Sequence, residues 1–270
     1  MDFAAYAAIN AINWSTLKEM RRSPLHYRHL LESGREDTTG LLIGRAIHTA
    51  VLEPERFPLD FVVFGGARRA GKEWDAFKAA NEGRAVIKAD EHANIIAVRD
   101  AVHSHAHAMA RLSGGAPEQT VTWTERINGV ELQCKARPDY IGAGIVDLKS
   151  TKDAGALAFG RTAARFGYHC QLAWYRRGVK AALGRELSMC LVVVETDAPH
   201  DVAVYDIDDD AMWVADEEIN ELLVKVASCR ASDRWPGAQE EPGPLHLPAW
   251  VTGSDEDDEL TSEVINEGER

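Results

Sequence analysis

Residues 137–151 read RPDYIGAGIVDLKST. Asp139 and Asp147 flank a glycine-containing turn, and Lys149 stands two places beyond Asp147. A strand has period two, so Asp147 and Lys149 share a face. The turn would bring Asp139, at the end of the neighbouring strand, close to Asp147. Two carboxylates that near each other repel unless a cation lies between them or one takes a proton. Mg²⁺ suits such a place: one or two carboxylates, a backbone carbonyl and several waters. An adjacent lysine could orient or help deprotonate an attacking water, or stabilise charge developing on a phosphate. The motif is short, however. Taken alone, it reads more readily as a salt-bridged hairpin than as a metal site.

Three further features bear on that choice. His48 lies mid-helix among Ile47, Ala50 and Val51, where a lone histidine is more often a satisfied core residue. Gln171 and Tyr175, in QLAWY, are four apart and hence on one helical face, a common pairing at the edge of a core. The third is the order itself: a histidine, an aspartate, DxK, then QxxxY. Each part is weak, but the ordered set is far more specific.

The elements that must position these groups follow from periodicity. Residues 13–32 read as two short helices, with Ser23 as N-cap and Pro24 at the first helical position. Helices are expected over 38–57, ending near Pro54, and over 71–84 and 89–112. Residues 120–127 and 130–141 alternate around Asn128-Gly129, a hairpin signal. A third strand covers 144–151 and a helix 166–183. Buried strands cover 188–196 and 201–208, and a helix runs from about 209 to 231. RWPG and LHLPAW are expected to pack back on the body. This order predicts one α/β domain over 1–252, with a central mixed β-sheet flanked by helices and a helical N-terminal part. Residues 253–270 are acidic and almost without large apolar side chains, and are expected to be a disordered tail.

The 270 residues carry a net charge of −13, which argues against a general attraction to nucleic acid. A local basic channel is compatible with that total, because charges more than about 10 Å apart are screened at 0.1 M salt. Cys134, Cys170, Cys190 and Cys229 are scattered with no CxxC pair, which fits reduced thiols rather than a zinc or iron–sulfur site. No apolar run approaches the roughly 20 residues of a membrane helix, and no signal-peptide pattern opens the chain. A cytoplasmic location away from membranes is expected.

Set together, STLKEMRRSPLHYRHLL, GRAIHTAVLEPERF, AGKEWDAF, CKARPDYI, IVDLKST, YHCQLAWYRRG, LVVVET and WPG…LPAW resemble the PD-(D/E)XK nuclease superfamily. The likeness is to its RecB-like branch, and within that to RecE-type phage and prophage exonucleases, over about 13–250. The resemblance implies the PD-(D/E)XK nuclease fold and a metal-dependent 5′→3′ exonuclease acting on linear double-stranded DNA in a bacterial host cell. It implies that His48, Asp139, Asp147 and the Leu148 carbonyl hold Mg²⁺ or Mn²⁺, while Lys149 positions the attacking water. Gln171 and Tyr175 would support the site and contact the DNA end. A glutamate often precedes the first strand in this family; Glu118 is the best-placed match and Glu125 a weaker one. Such enzymes act as ring-shaped homo-oligomers, trimers or tetramers, and pass the 3′ strand to a RecT-like single-strand annealing protein. Arg68, Arg69, Lys72, Arg137 and Arg21 are candidates for a DNA channel, and Ser15 and Arg21 for the 5′ phosphate, with solvated surface charge as the alternative for each basic residue. A different nuclease on the same scaffold, for repair or defence, and a non-catalytic DNA-end-binding scaffold are the competing readings.

Two motifs invite other chemistry. His103 and His107, in HSHAH, are four apart and could hold zinc, with Asp100 as a third ligand; without HExxH or a nearby cysteine, an exposed helical face is expected. FGGARRAGKE lacks the GxxxxGK[ST] of a P-loop. Trp74, Trp123, Trp174 and Trp250 are expected to pack rather than stack on bases.

Overall fold

The computed structural model describes residues 3–34 and 37–247. The acidic tail and Trp250 lie outside them. The N-terminal part is helical: α1 (Phe3–Ala8), α2 (Trp14–Leu17), a 3₁₀ turn (Lys18–Arg21), α3 (Pro24–Ser33), α4 (Thr39–Leu52) and α5 (Phe57–Asp60). Next come β1 (Phe61–Phe64), α6 (Lys72–Ala80), β2 (Ala85–Lys88), α7 (Ala89–Ser104) and α8 (Ala106–Arg111). The strand-rich part follows: β3 (Ala116–Pro117), β4 (Val121–Ile127), β5 (Val130–Ala136), β6 (Tyr140–Ile141) and β7 (Ile145–Thr151). Then come α9 (Ala156–Phe166), α10 (Tyr168–Leu183), β8 (Met189–Glu195), β9 (Val202–Asp206) and α11 (Asp209–Ser232).

The central sheet is mixed, in the order β3-β6-β7-β8-β9, with only the β7–β8 pair parallel. Strand β8 is apolar on both faces, as a strand covered on both sides requires, and β7 is apolar except where Asp147 and Lys149 interrupt it and at its polar end, Ser150 and Thr151. Ile145, Leu191 and Val193 face Leu172 and Trp174 of α10 and Leu222 of α11. Val146, Leu148, Val192 and Val194 face Ile47 of α4 and Ile95 and Val98 of α7. Each fully buried aliphatic side chain stabilises this arrangement by about 1.5–3 kcal/mol. β1 and β2 form a small parallel pair beside α7.

Local sequence explains the starts and stops. Ser23 caps α3 with Pro24 in the first turn, and Asn128 and Gly129 both take positive φ in the two-residue β4–β5 hairpin. The stretch 130–141 is not one strand. Pro138 has no N–H to give to a ladder, so pairing stops at Ala136 and resumes at Tyr140. The helix expected over 166–183 starts at Tyr168, because Gly167 turns left-handed (φ 70°) and separates it from α9. The helix over 89–112 breaks at His105, which ends α7 and caps α8 through Nδ1. β9 is half-buried rather than buried, being the last strand of the sheet.

Trp235 of RWPG stacks on Tyr27, and Pro236 accepts a hydrogen bond from Leu25 N–H, so that loop does pack back. LHLPAW does not follow it where it is described: Leu245 and Leu247 are exposed on an irregular Gly- and Pro-punctuated segment. Trp123 and Trp174 pack together in the core, and Trp74 lies edge-on to Phe64. All four cysteines are free and buried. His103 bonds the Val51 carbonyl (2.9 Å) and, with His107, lies exposed. Among the described residues, no helix is long and apolar enough to cross a membrane.

Candidate metal centre and catalytic lysine

Asp147 sits mid-strand in β7, opposite Leu191 of β8, and its side chain is completely buried. Its Oδ1 has no hydrogen-bond partner. The Lys149 ammonium touches Oδ2 as an ion pair, placed there by the two-residue period. The other side of that ammonium lies 4.7 Å over the Tyr168 ring.

Asp139 reaches the same place by leaving the ladder. The break at Pro138 frees its side chain to accept the Leu148 N–H at 2.7 Å, and its carbonyl accepts the Glu118 N–H at 2.9 Å. Leu148 contributes its amide to Asp139, and its carbonyl stays available for the role the resemblance assigns to it. His48 comes from α4, whose Ala46, Ile47, Ala50 and Val51 are buried, and its Nδ1 lies 3.4 Å from Asp139 Oδ2. Glu118 follows β3 with its backbone left-handed (φ 52°), a conformation a glutamate adopts only when its surroundings enforce it. Here Arg137 enforces it: its Nε donates to the Glu118 carbonyl (3.1 Å) and pairs with the carboxylate (2.8 Å). One ligand atom each of His48, Glu118 and Asp139 lie within 4.8 Å of one another.

The charges show what this arrangement costs without a cation. Burial pushes the Asp147 carboxyl up to about 7, with Lys149 pulling it down and Asp139 pushing it further up. Burial and the Asp139 charge likewise push Glu118 up to about 7, against the pull of Arg137. Burial also acts against ionised Asp139, but His48, Lys149 and the Leu148 N–H together hold it below the usual range. Burial opposes the charge on His48 and on Lys149; in each case the carboxylates more than offset it and raise the pKa. A fully buried carboxylate with one unpartnered oxygen, beside two carboxylates and an imidazole, fits a hard divalent cation. His48, Glu118 and Asp139 would hold it, with Asp147 beside them but outside that cluster of three and ion-paired with Lys149.

On α10, Gln171 Nε2 donates to the Tyr175 hydroxyl at 2.7 Å. Burial raises the Tyr175 phenol well above its ordinary value, and the charges of Asp147 and Asp139 add to this, so the pair borders the centre. The two glutamates differ in position: Glu125 accepts the Trp123 indole N–H on the hairpin, while Glu118 lies with His48 and Asp139.

The candidate DNA contacts are scattered. Arg137 is buried and holds Glu118. Arg21 is ion-paired with Glu218 and lies over the Trp14 ring, and Ser15 bonds the Asn13 side chain. Arg68 is exposed on the loop after β1, Lys72 is exposed where α6 begins, and Arg69 between them is bidentate to Glu91 on α7. Two residues join the centre without having been expected there. Tyr168 backs Lys149; its spacing from Gln171 and Tyr175 (i, i+3, i+7) is the signal that one α10 face carries all three. Tyr6 lies under Lys135 and near Arg137, and its hydroxyl is pushed up to about 12 by burial. No periodicity points to it. Ile12 hydrogen-bonds to Gln133 and Lys135 of β5, and the buried Lys135 ammonium closes the end of α1 on the carbonyls of Tyr6, Ala7 and Ile9.

A mixed sheet between helical layers, with aspartate, DxK and a supporting glutamate at its centre, defines the PD-(D/E)XK class of fold. Residues 13–242 match the PDDEXK-like domain of unknown function (DUF3799), and the chain belongs to that family. Among solved structures, it is similar to a "putative exonuclease" from Eubacterium rectale, at 15% identity and a TM-score of 0.62, covering 93% of this chain and 96% of the other. A second match, SSO0001, has 13% identity and a TM-score of 0.35, covering 79% of this chain and 77% of the other. No curated protein sequence matches the chain.

Proposed function

We propose that this protein is a divalent-metal-dependent deoxyribonuclease, and that it degrades linear double-stranded DNA from 5′ ends in the manner of the RecE-type exonucleases it resembles. The observation that carries the nuclease reading is the buried Asp147 carboxylate, ion-paired with Lys149 through Oδ2 and without a partner on Oδ1, one residue from the amide that holds Asp139. A bound Mg²⁺ or Mn²⁺ supplies Lewis-acid activation of water and of the scissile phosphate. The protein's own groups do the rest. Lys149 is held as an ammonium by Asp147 and Asp139, so its task is to orient the attacking water and stabilise negative charge growing on the phosphate, rather than to take a proton. Tyr168 and Asp147 fix its direction. Arg137 keeps Glu118 turned into the cluster. The Gln171–Tyr175 pair offers polar atoms at the border of the centre to a DNA end.

In this reading the working form is a ring-shaped homo-oligomer, a trimer or tetramer, that delivers a 3′ strand to a RecT-like annealing protein in the host cytoplasm. The test is incubation with Mg²⁺ or Mn²⁺ of linear duplexes labelled at the 5′ or 3′ end, beside a covalently closed circle. Release of the 5′ label first, with the circle spared, is expected. Nicking of the circle would transfer the assignment to an endonuclease. End binding without any metal-dependent cleavage would leave a scaffold protein.

A further inference from the structure

Most arginines of this acidic chain are committed to carboxylates, as Arg21, Arg45, Arg69 and Arg176 illustrate. Arg161 and Arg165 are different. Among the described residues neither takes part in an ion pair or hydrogen bond, and both are exposed. They are four apart on α9, so they share a face. That helix, ALAFGRTAARF, contains no acid at all, although the whole chain carries −13. Beside the arginines run the small side chains of Ala156, Gly160 and Ala164, also exposed, and Leu157, exposed as well, precedes Arg161 by one turn.

A second observation ties this face to the candidate centre. The Arg165 guanidinium lies 5.5 Å over the Phe166 ring, Phe166 stacks on Tyr168 at 5.8 Å, and the Tyr168 ring lies 4.7 Å from the Lys149 ammonium. Unpaired positive charge therefore leads by direct ring contacts to the reactive lysine. Duplex DNA carries one negative charge per about 1.7 Å of axis, which is the complement this face lacks.

We infer that the exposed face of α9 holds the phosphate backbone of duplex DNA as it enters the site, with Arg161 and Arg165 each against a phosphate. The inference rests on the nuclease reading and names a binding surface for it. Its test is the salt dependence of binding to a fluorescent duplex, followed by anisotropy in EDTA so that the DNA stays intact. The R161A/R165A protein is compared with the parent and with R22A/R126A, which removes the same charge from two exposed, carboxylate-paired arginines. The slope of log K against log salt should become shallower by about 1.8 in R161A/R165A, 0.9 for each lost phosphate contact, and stay unchanged in R22A/R126A. Equal slopes for parent and R161A/R165A, or an equal change in R22A/R126A, would overturn the inference. Hydrolysis by the parent in Mg²⁺ is measured alongside. A parent that cleaves DNA while the slopes coincide removes α9 alone; a parent that cleaves nothing removes the nuclease reading.

Discussion

Replacing Asp147 with asparagine should make the metal-free protein gain stability relative to the parent as pH rises. The folded carboxyl titrates at about 7 instead of the ordinary 3.8. Raised in the fold, it binds its proton more tightly there than in the unfolded chain, so stability is lost as pH climbs from 3.8 through 7. At 1.36 kcal/mol per pH unit, the full gap is about 4 kcal/mol, rather more than half of which falls between about pH 5 and about pH 8. Asparagine lacks this term. Its own cost, chiefly a less well paired Lys149, is the same at both pH values, since lysine stays charged throughout. Urea unfolding in EDTA at the two pH values therefore reads the effect: the free-energy difference between Asp147→Asn and parent should shift by roughly 2–3 kcal/mol in favour of the variant. Glu118, also raised, loses stability in the same direction in both proteins and largely cancels, while His48 is raised less in the variant because the Asp147 charge is one of the causes that raise it. Adding Mg²⁺ at about one hundred times its dissociation constant should then stabilise the parent by about 2.7 kcal/mol and the variant by less. A difference independent of pH would mean that Asp147 is already ionised and satisfied at pH 5, and the argument for a cation site would fail.

Three other outcomes follow from the same geometry. Lys149→Ala should lower metal-dependent DNA hydrolysis by at least about 10²-fold while DNA binding persists, as gel-based cleavage and anisotropy would show; cleavage at the parental rate would remove Lys149 from the chemistry. Arg137→Met should weaken Mg²⁺ binding by about 10–100-fold in calorimetry, because Glu118 loses the guanidinium that orients it; unchanged or tighter binding would contradict that role. Gly178→Ala should destabilise the fold by about 1 kcal/mol or more in urea, since a Cβ there comes to 2.6 Å from the buried Trp123 ring and overpacking outweighs the gain in helix propensity; a more stable variant would show that the ring yields.

The sequence is most informative where one residue type has one physical reading. Asn128-Gly129 allows little but a tight hairpin, Ser23-Pro24 little but a helix start, and the unbroken apolar run of β8 little but a central strand. The pairing of Asp147 with Lys149 is equally legible, since it needs only the period of a strand. What escapes is whatever depends on a single residue interrupting a pattern. Pro138 cuts a strand that alternation alone would carry through to Ile141, and that cut frees Asp139. Gly167 divides two helices, and with α9 goes the basic face. Arg137 looks like a surface charge in a string of letters, yet it is buried because a left-handed glutamate needs a partner. Strands of four residues or fewer, such as β1, β2 and β3, offer too few alternations to be read at all. Tyr6 is invisible for another reason: it reaches the centre only through a tertiary bridge from Ile12 to β5.

The bond from the Leu148 amide to Asp139 has a consequence for motion. The site inherits its stiffness from the middle of the sheet, not from a surface loop. Displacing Asp139 requires giving up a buried backbone donor between two apolar layers, an opening that belongs with the slow, cooperative fluctuations of the core and not with fast loop motion. Asp139 and Asp147 therefore belong to the stiffest part of the molecule, while His48, carried on α4, shares whatever motion that helix has.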